Sequence, residues 1–177
     1  GDFYTLNISC PNTFGGEPFT NEADLSLLLK EVSKLKIIKP IFVKMPINLP
    51  WTEFEKLLKI IIKFKLQGVI IGNLNKEATP KGLKGGVSGR PTWKLSNQLI
   101  KLNYKNYREK LKIIGVGGVF SGEDAYEKIR LGASLVQLIT GMIYEGPQLI
   151  GQINKDLVEL LKRDGFKSIR EAVGSSN

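Results

Sequence analysis

Short apolar runs alternate along this chain with segments of helical periodicity, and that alternation constrains the fold more than any other feature. The runs are Phe3-Tyr4-Thr5-Leu6-Asn7-Ile8, then residues 40–46, 68–73, 112–118 and 134–140. Most are continuously apolar rather than alternating, which is how strands read when a parallel sheet buries both of their faces. The intervening segments carry helix signals. Asn21 can cap a helix with apolar positions Leu25, Leu28, Leu29, Val32 and Leu35. Pro50 opens another with Phe54, Leu57, Leu58, Ile61 and Phe64, and a third is expected over 92–107. Ser121 and Asp124 make a capping-box-like start for a helix over 122–131, which Gly132 ends. The last, over 149–163, is apolar at Ile150, Ile153, Leu157, Leu160 and Leu161 and stops by Gly165.

The resulting order, βαβαβαβαβα, predicts an α/β fold with a parallel sheet covered by helices, organised as one domain over residues 1–177. Units of roughly 30–40 residues suit a (β/α)8 barrel, but a whole barrel needs about 250 residues. Five units are three short of eight. A five-stranded doubly wound sheet is the alternative, and periodicity does not decide between the two. The chain lacks an initiator Met and enters a strand almost at once, which reads as a chain cut or processed upstream.

Composition excludes several chemistries. There is no histidine, so Ser-His-Asp and Cys-His catalysis and histidine metal cages are all absent. The single cysteine, Cys10, precludes an internal disulfide and suits a reducing, cytoplasmic setting. Without an imidazole, any reactivity of Cys10 must draw on a lysine, a helix terminus, a cofactor or the substrate. The net charge of +9 is spread over helix-like segments without an arginine cluster, so a solvated lysine-rich surface is expected rather than a nucleic-acid site. No apolar run approaches the roughly 18 residues that would span a membrane.

Chemistry-bearing residues gather where strands end and loops begin, the side on which parallel α/β proteins bind ligands. In NISCPN, Pro11 cannot donate to a sheet ladder, so the first strand should stop near Cys10, with Asn7 and Asn12 on either side. Lys44 ends a buried strand in FVKMP, where an ammonium needs a partner. Asn73 and Asn75 follow the third strand. Gly117-Gly118, ahead of the helix that starts at Ser121, either lets backbone N–H groups approach an anion or serves tight strand-to-helix packing. Thr140-Gly141 closes the fifth strand. GVGGVFSG departs from dinucleotide-binding spacing, because Phe120 takes the third glycine's place.

NISCPNT, FVKMP, GGVSGRP, IIGVGGVFSGEDAYEKIRLGASLVQLITGMIYEGP and LLKRDGFKSIREAVG, in that order, resemble the carboxyl-terminal half of the dihydroorotate dehydrogenases. The resemblance implies the part from about strand 4 to strand 8 of a (β/α)8 TIM barrel that binds FMN at its mouth. It places the catalytic base on Cys10, the orotate-binding asparagines on Asn7, Asn12 and Asn73, and the flavin-ring lysine on Lys44. FMN phosphate and ribityl contacts fall on Gly89, Gly117, Gly118 and Thr140, with Gly72, Ser88 and Gly141 beside them, and Asn7 is implied to contact the cofactor as well as the substrate. The implied reaction is oxidation of dihydroorotate to orotate in pyrimidine biosynthesis. Implied partners are that small-molecule substrate and an amino-terminal barrel half, as another segment or chain; a homodimer is an option and nucleic acid is not expected.

The sequence departs from the family in places. Soluble fumarate- or NAD-linked members use cysteine as base and membrane quinone-linked members use serine, yet EDAYEKIRLGASLVQL and the tail resemble the quinone-linked class. Gly72 and Leu74 stand where that class has threonines around Asn73, and Ile139 replaces a tyrosine found in some members before the threonine matching Thr140. The electron acceptor therefore stays open between quinone, fumarate and NAD, with membrane association if it is quinone. Dihydropyrimidine dehydrogenase and the dihydrouridine synthases also carry a loop cysteine, but the former's cysteine clusters and the latter's sequence after Cys-Pro are not found here. A half barrel kept as a non-catalytic interaction module is the alternative from another class.

Overall fold

The computed structural model describes residues 1–10 and 17–177. Five strands form one parallel sheet: β1 (Tyr4–Asn7), β2 (Ile41–Met45), β3 (Gly68–Ile71), β4 (Lys112–Val116) and β5 (Leu135–Gln137). They lie side by side in chain order, β1-β2-β3-β4-β5. A doubly wound sheet reverses its strand order at a switch point. Here the order never reverses, so the topology is that of consecutive barrel units.

Right-handed crossovers then put the helices on one face of the sheet. They are α1 (Glu22–Ser33), α2 (Trp51–Lys63), α3 (Trp93–Tyr107), α4 (Gly122–Arg130), α5 (Thr140–Glu145), α6 (Gln148–Arg163) and α7 (Ile169–Ala172). In register across the sheet, Val43, Val69 and Ile113 point to that face. There they join Leu25, Leu29, Phe54, Leu57, Leu58, Ile61 and Ile100 in the main core. On the opposite, concave face a smaller cluster of Phe42, Ile70 and Ile114 packs with Val116. Asn7 is in register with Lys44, Lys44 with Ile70, and Ile70 with Ile114, so the two polar side chains start on this concave face.

Both expected caps form. Asn21 Oδ1 accepts from the Asp24 N–H at 3.0 Å, and Ser121 Oγ accepts from the Asp124 N–H at 3.2 Å. Gly132 ends α4 with φ +122°, where a Cβ would lie 2.3 Å from the Tyr104 ring. The strands are shorter than the apolar runs suggest, because each run continues past its last sheet pairing into a ligand-side loop. β3 ends at Ile71 and β4 at Val116, before Gly117 turns the chain with φ +109°. Residues 138–140 also leave the sheet, and Thr140 starts α5 instead of ending a strand. Gly141 permits this, since its backbone packs so close that a Cβ would lie 2.3 Å from the Val119 carbonyl oxygen. Leu35 lies beyond α1 and is exposed, and in α6 the buried positions are Leu149, Ile153 and Leu160, with Ile150 half exposed.

β1 and β5 each have a single sheet neighbour. Apolar side chains are exposed beside both: Phe3 and Tyr4 at one edge, Leu135, Ile139 and Ile143 at the other. Among the described residues no helix is long and apolar enough to cross a membrane.

Candidate active site

The carboxyl ends of β2, β3 and β4 and the loops after them surround a cleft of about 460 Å³, its solvent mouth included. Lys44 enters it from β2. Gly72 and Asn73 come from the turn after β3, and Ser88 and Gly89 from the loop that leads into α3. Gly117 and Gly118 follow β4, and Thr140 and Gly141 open α5. Nine of the residues singled out in the sequence thus line one space, although they are spread over nearly a hundred positions. Asn7 shares the concave face with Lys44 but does not line the cleft. Asn12 and Pro11 lie outside the described residues.

Lys44 is partly buried, and desolvation pulls its ammonium below the ordinary lysine range. The negative charge available at Cys10 acts on Lys44 in the other direction. Cys10 itself is half-buried at the end of the segment after β1.

Ser9 connects these groups, and the sequence alone did not single it out. It is fully buried, and its Oγ donates to the Lys44 carbonyl at 2.9 Å. Asn73 Nδ2 donates to both the Ser9 carbonyl at 2.6 Å and Ser9 Oγ at 2.8 Å. The Asn73 side-chain Oδ1 accepts from the Leu74 N–H at 2.9 Å. The residue before Cys10 is thereby tied to β2 and to the turn after β3. Asn75, grouped with Asn73 in the sequence reading, has a different role. It accepts from Asn48 Nδ2 at 2.9 Å, donates to the Pro91 carbonyl at 2.9 Å and pairs its backbone with Val87. It shapes the 75–91 loop and does not line the cleft.

The glycine side is built by close approach. Gly117 and Gly118 have φ of +109° and +74°, and a Cβ on them would lie 2.4 Å from Thr92 Oγ1 and 2.5 Å from Trp93 Cβ. The space a side chain would need is taken by the start of α3, so tight packing does require these glycines. Their backbone still lines the cleft. Gly89, with φ +79°, brings its loop against Thr140, and Thr140 Oγ1 donates to Ser88 Oγ at 2.9 Å. The substituted position Phe120 is clamped as well. Its N–H donates to Asp124 Oδ2 at 2.9 Å, and Arg90 lies over its ring while pairing with Asp124 at 2.7 Å. Among the described residues no group of three or more His, Cys, Asp or Glu side chains could hold a metal ion.

Backbone N–H groups on left-handed glycines beside two hydroxyls are a donor set that fits a phosphate. Lys44 is the partly desolvated cation of the cleft; Cys10, like Asn7, does not line it but lies near enough to influence the Lys44 charge.

Sequentially ordered parallel strands with one cleft at their carboxyl ends define a segment of a (β/α)8 barrel whose mouth is a ligand site. A family model described as dihydroorotate dehydrogenase matches residues 1–161. The chain belongs to the dihydroorotate dehydrogenase family. It is 40% identical over 194 aligned residues to the mitochondrial dihydroorotate dehydrogenase (quinone) of Arabidopsis thaliana, an alignment covering 99% of this chain and 42% of that protein. The dihydroorotate dehydrogenase (quinone) of Nostoc punctiforme is 37% identical over 98% of this chain and 50% of its own length. The ligand-free enzyme structure from Eimeria tenella superposes with a TM-score of 0.89 at 27% identity, over 99% of this chain and 56% of that one. The chain spans about half the length of the curated relatives it matches.

Proposed function

We propose that the protein containing this chain oxidises dihydroorotate to orotate in pyrimidine biosynthesis, with FMN as resident cofactor and a quinone as electron acceptor. The observation that carries this reading is the convergence of Lys44, Gly72, Asn73, Ser88, Gly89, Gly117, Gly118, Thr140 and Gly141 on one cleft in a chain of this family. The quinone reading rests on relatives that carry quinone in their names.

Bound FMN would supply the two-electron acceptor for the hydride leaving C6 of the substrate. Cys10 acts as the base: its thiolate takes the C5 proton, and the electron pair of that C–H bond forms the new C5–C6 double bond. Lys44 carries a partly desolvated positive charge beside the place where negative charge develops, which is where preorganised charge lowers a barrier most. Asn7 and Asn12 hydrogen-bond the substrate ring and carboxylate, while Asn73, whose amide hydrogens are engaged by Ser9, offers the substrate the remaining lone pair of its Oδ1. The backbone of Gly117 and Gly118, with Ser88, Gly89 and Thr140, holds the phosphate and ribityl chain. The rest of the barrel, from another segment or chain, pairs with β1 and β5, and the quinone acceptor implies a membrane-associated protein.

The test is spectroscopic. The purified full-length protein should show a flavin absorbance that bleaches when dihydroorotate is added without oxygen, and a soluble ubiquinone analogue should restore it faster than fumarate or NAD. Absence of flavin would favour the non-catalytic half barrel. Faster reoxidation by fumarate or NAD would overturn the quinone assignment alone.

A further inference from the structure

Lys128 is fully buried on α4, and nothing in the proposed chemistry uses it. Its stem packs against β4, where a Cβ on Gly115 would lie 3.2 Å from Lys128 Cδ. Its ammonium donates to Asn97 Oδ1 at 2.7 Å and to Ser96 Oγ at 3.1 Å, both on α3. Ser96 Oγ in turn donates to the Val116 carbonyl at 2.7 Å, with the Ile71 carbonyl at 3.2 Å. Those are the last carbonyls of β4 and β3, the points from which Gly117 and Gly72 leave for the cleft. Val116 O also accepts from the Gly72 N–H at 3.3 Å, so one carbonyl holds both strand ends together.

We infer that Lys128 is a positioning residue for the phosphate end of the cleft, a buried cation that holds the ends of β3 and β4 through Ser96 and adds positive potential behind Gly117 and Gly118. The inference rests on the FMN reading above. Gly117 lies two residues, about 7 Å, along the strand from the glycine that Lys128 touches. Allowing about 5 Å more from the Gly117 backbone to a bound anion, a charge at about 12 Å acting through an effective dielectric near 20 changes anion affinity by about tenfold.

The charged groups weighing on the ammonium are Glu127 and Asp124 of its own helix, and burial, the larger influence, lowers its pKa to about 8. Asp124 is itself engaged by Arg90, and Glu127 accepts from Asn97 Nδ2 at 3.2 Å. From α3 and β4 its neighbours are the neutral Ser96, Asn97 and Gly115. Loss of the proton above pH 8 should therefore weaken binding of a phosphate but not of a neutral ligand.

The experiment compares FMN with riboflavin, which lacks the phosphate, by fluorescence titration of the full-length apoprotein. Wild type should prefer FMN, and that preference should fall about tenfold between pH 7 and pH 9.5. Lys128→Met should lower the preference about tenfold at pH 7 and abolish its pH dependence, with riboflavin affinity falling by much less than FMN affinity. Lys128→Arg should retain the preference without the alkaline loss. An equal loss of both ligands in Lys128→Met would mean a merely structural role and overturn the inference. So would a pH-independent preference in wild type, which needs no variant to fold. If wild type binds both ligands equally well, the phosphate site itself is wrong, and the two failures are distinguished.

Discussion

Replacing Ser9 with alanine removes a hydroxyl that makes two short bonds in a fully buried place. Its Oγ donates to the Lys44 carbonyl and accepts from Asn73 Nδ2, at 2.9 and 2.8 Å. Asn73 keeps its bond to the Ser9 carbonyl at 2.6 Å, so the amide is weakened rather than orphaned. Leaving buried polar groups partly unpaired costs about 1–3 kcal/mol, and Ser9→Ala should destabilise the full-length protein by that amount in urea titration. The interaction itself is isolated by a cycle of Ser9→Ala, Asn73→Ala and the double variant. Residues sharing a hydrogen-bond network couple by about 0.5–3 kcal/mol, so the double variant should lose clearly less than the sum of the singles. Cys10 follows Ser9 directly, and a shift of about 1 Å in a catalytic group can cost on the order of 10²-fold in rate. Ser9→Ala should therefore lower kcat/KM for dihydroorotate by about 10- to 100-fold while FMN content stays stoichiometric. Additive stability effects, or unchanged kcat/KM, would refute the idea that Ser9 ties the cysteine segment to Lys44 and Asn73.

Cys10→Ala should leave FMN bound and oxidised, with reduction by dihydroorotate slowed about 10²–10⁴-fold in stopped flow; near-normal reduction would remove Cys10 as the base. Cys10→Ser should keep part of the activity with a pH optimum moved upward. Gly118→Ala forces a side chain onto a φ of +74° and against Trp93, so it should lose FMN on desalting, and full retention would count against this backbone as the phosphate cradle. The 177-residue chain expressed alone should associate through β1 and β5, as seen by light scattering and mass spectrometry. A monodisperse 19.7 kDa monomer with a cooperative melt would defeat that expectation.

Much of this architecture is legible along the chain. Asn21, Ser121 and Gly132 mark helix ends through local chemistry, and the apolar runs contain every strand. What periodicity does not carry is where a run leaves the sheet: Leu138 and Ile139 are as apolar as the strand before them, and only the close approach of Gly141 to Val119 turns the next residues into α5. Helices as short as α5 and α7 hold too few turns to show a repeat. Asn7, Lys44, Asn73 and the glycines are visible because asparagine, lysine and glycine are unusual at the ends of apolar strands. Ser9 is an ordinary serine until Asn73, 64 residues away, is brought to it. Lys128 sits in EDAYEKIR, where a lysine reads as solvated; the glycine at 115 makes the room that buries its stem, and that pairing joins two different elements.

The order of the strands has a bearing on how such a molecule is assembled. Because every sheet neighbour is also the next strand in the chain, each pairing closes a loop of one helical unit only, and the sheet can grow by successive addition as the polypeptide is made. Loops of that size carry a small and nearly constant closure entropy, so no internal pairing is much slower than another. The outer hydrogen-bonding edges of β1 and β5 have no strand partner among the described residues. The cleft at the carboxyl ends of β2, β3 and β4 depends only on pairings made in chain order.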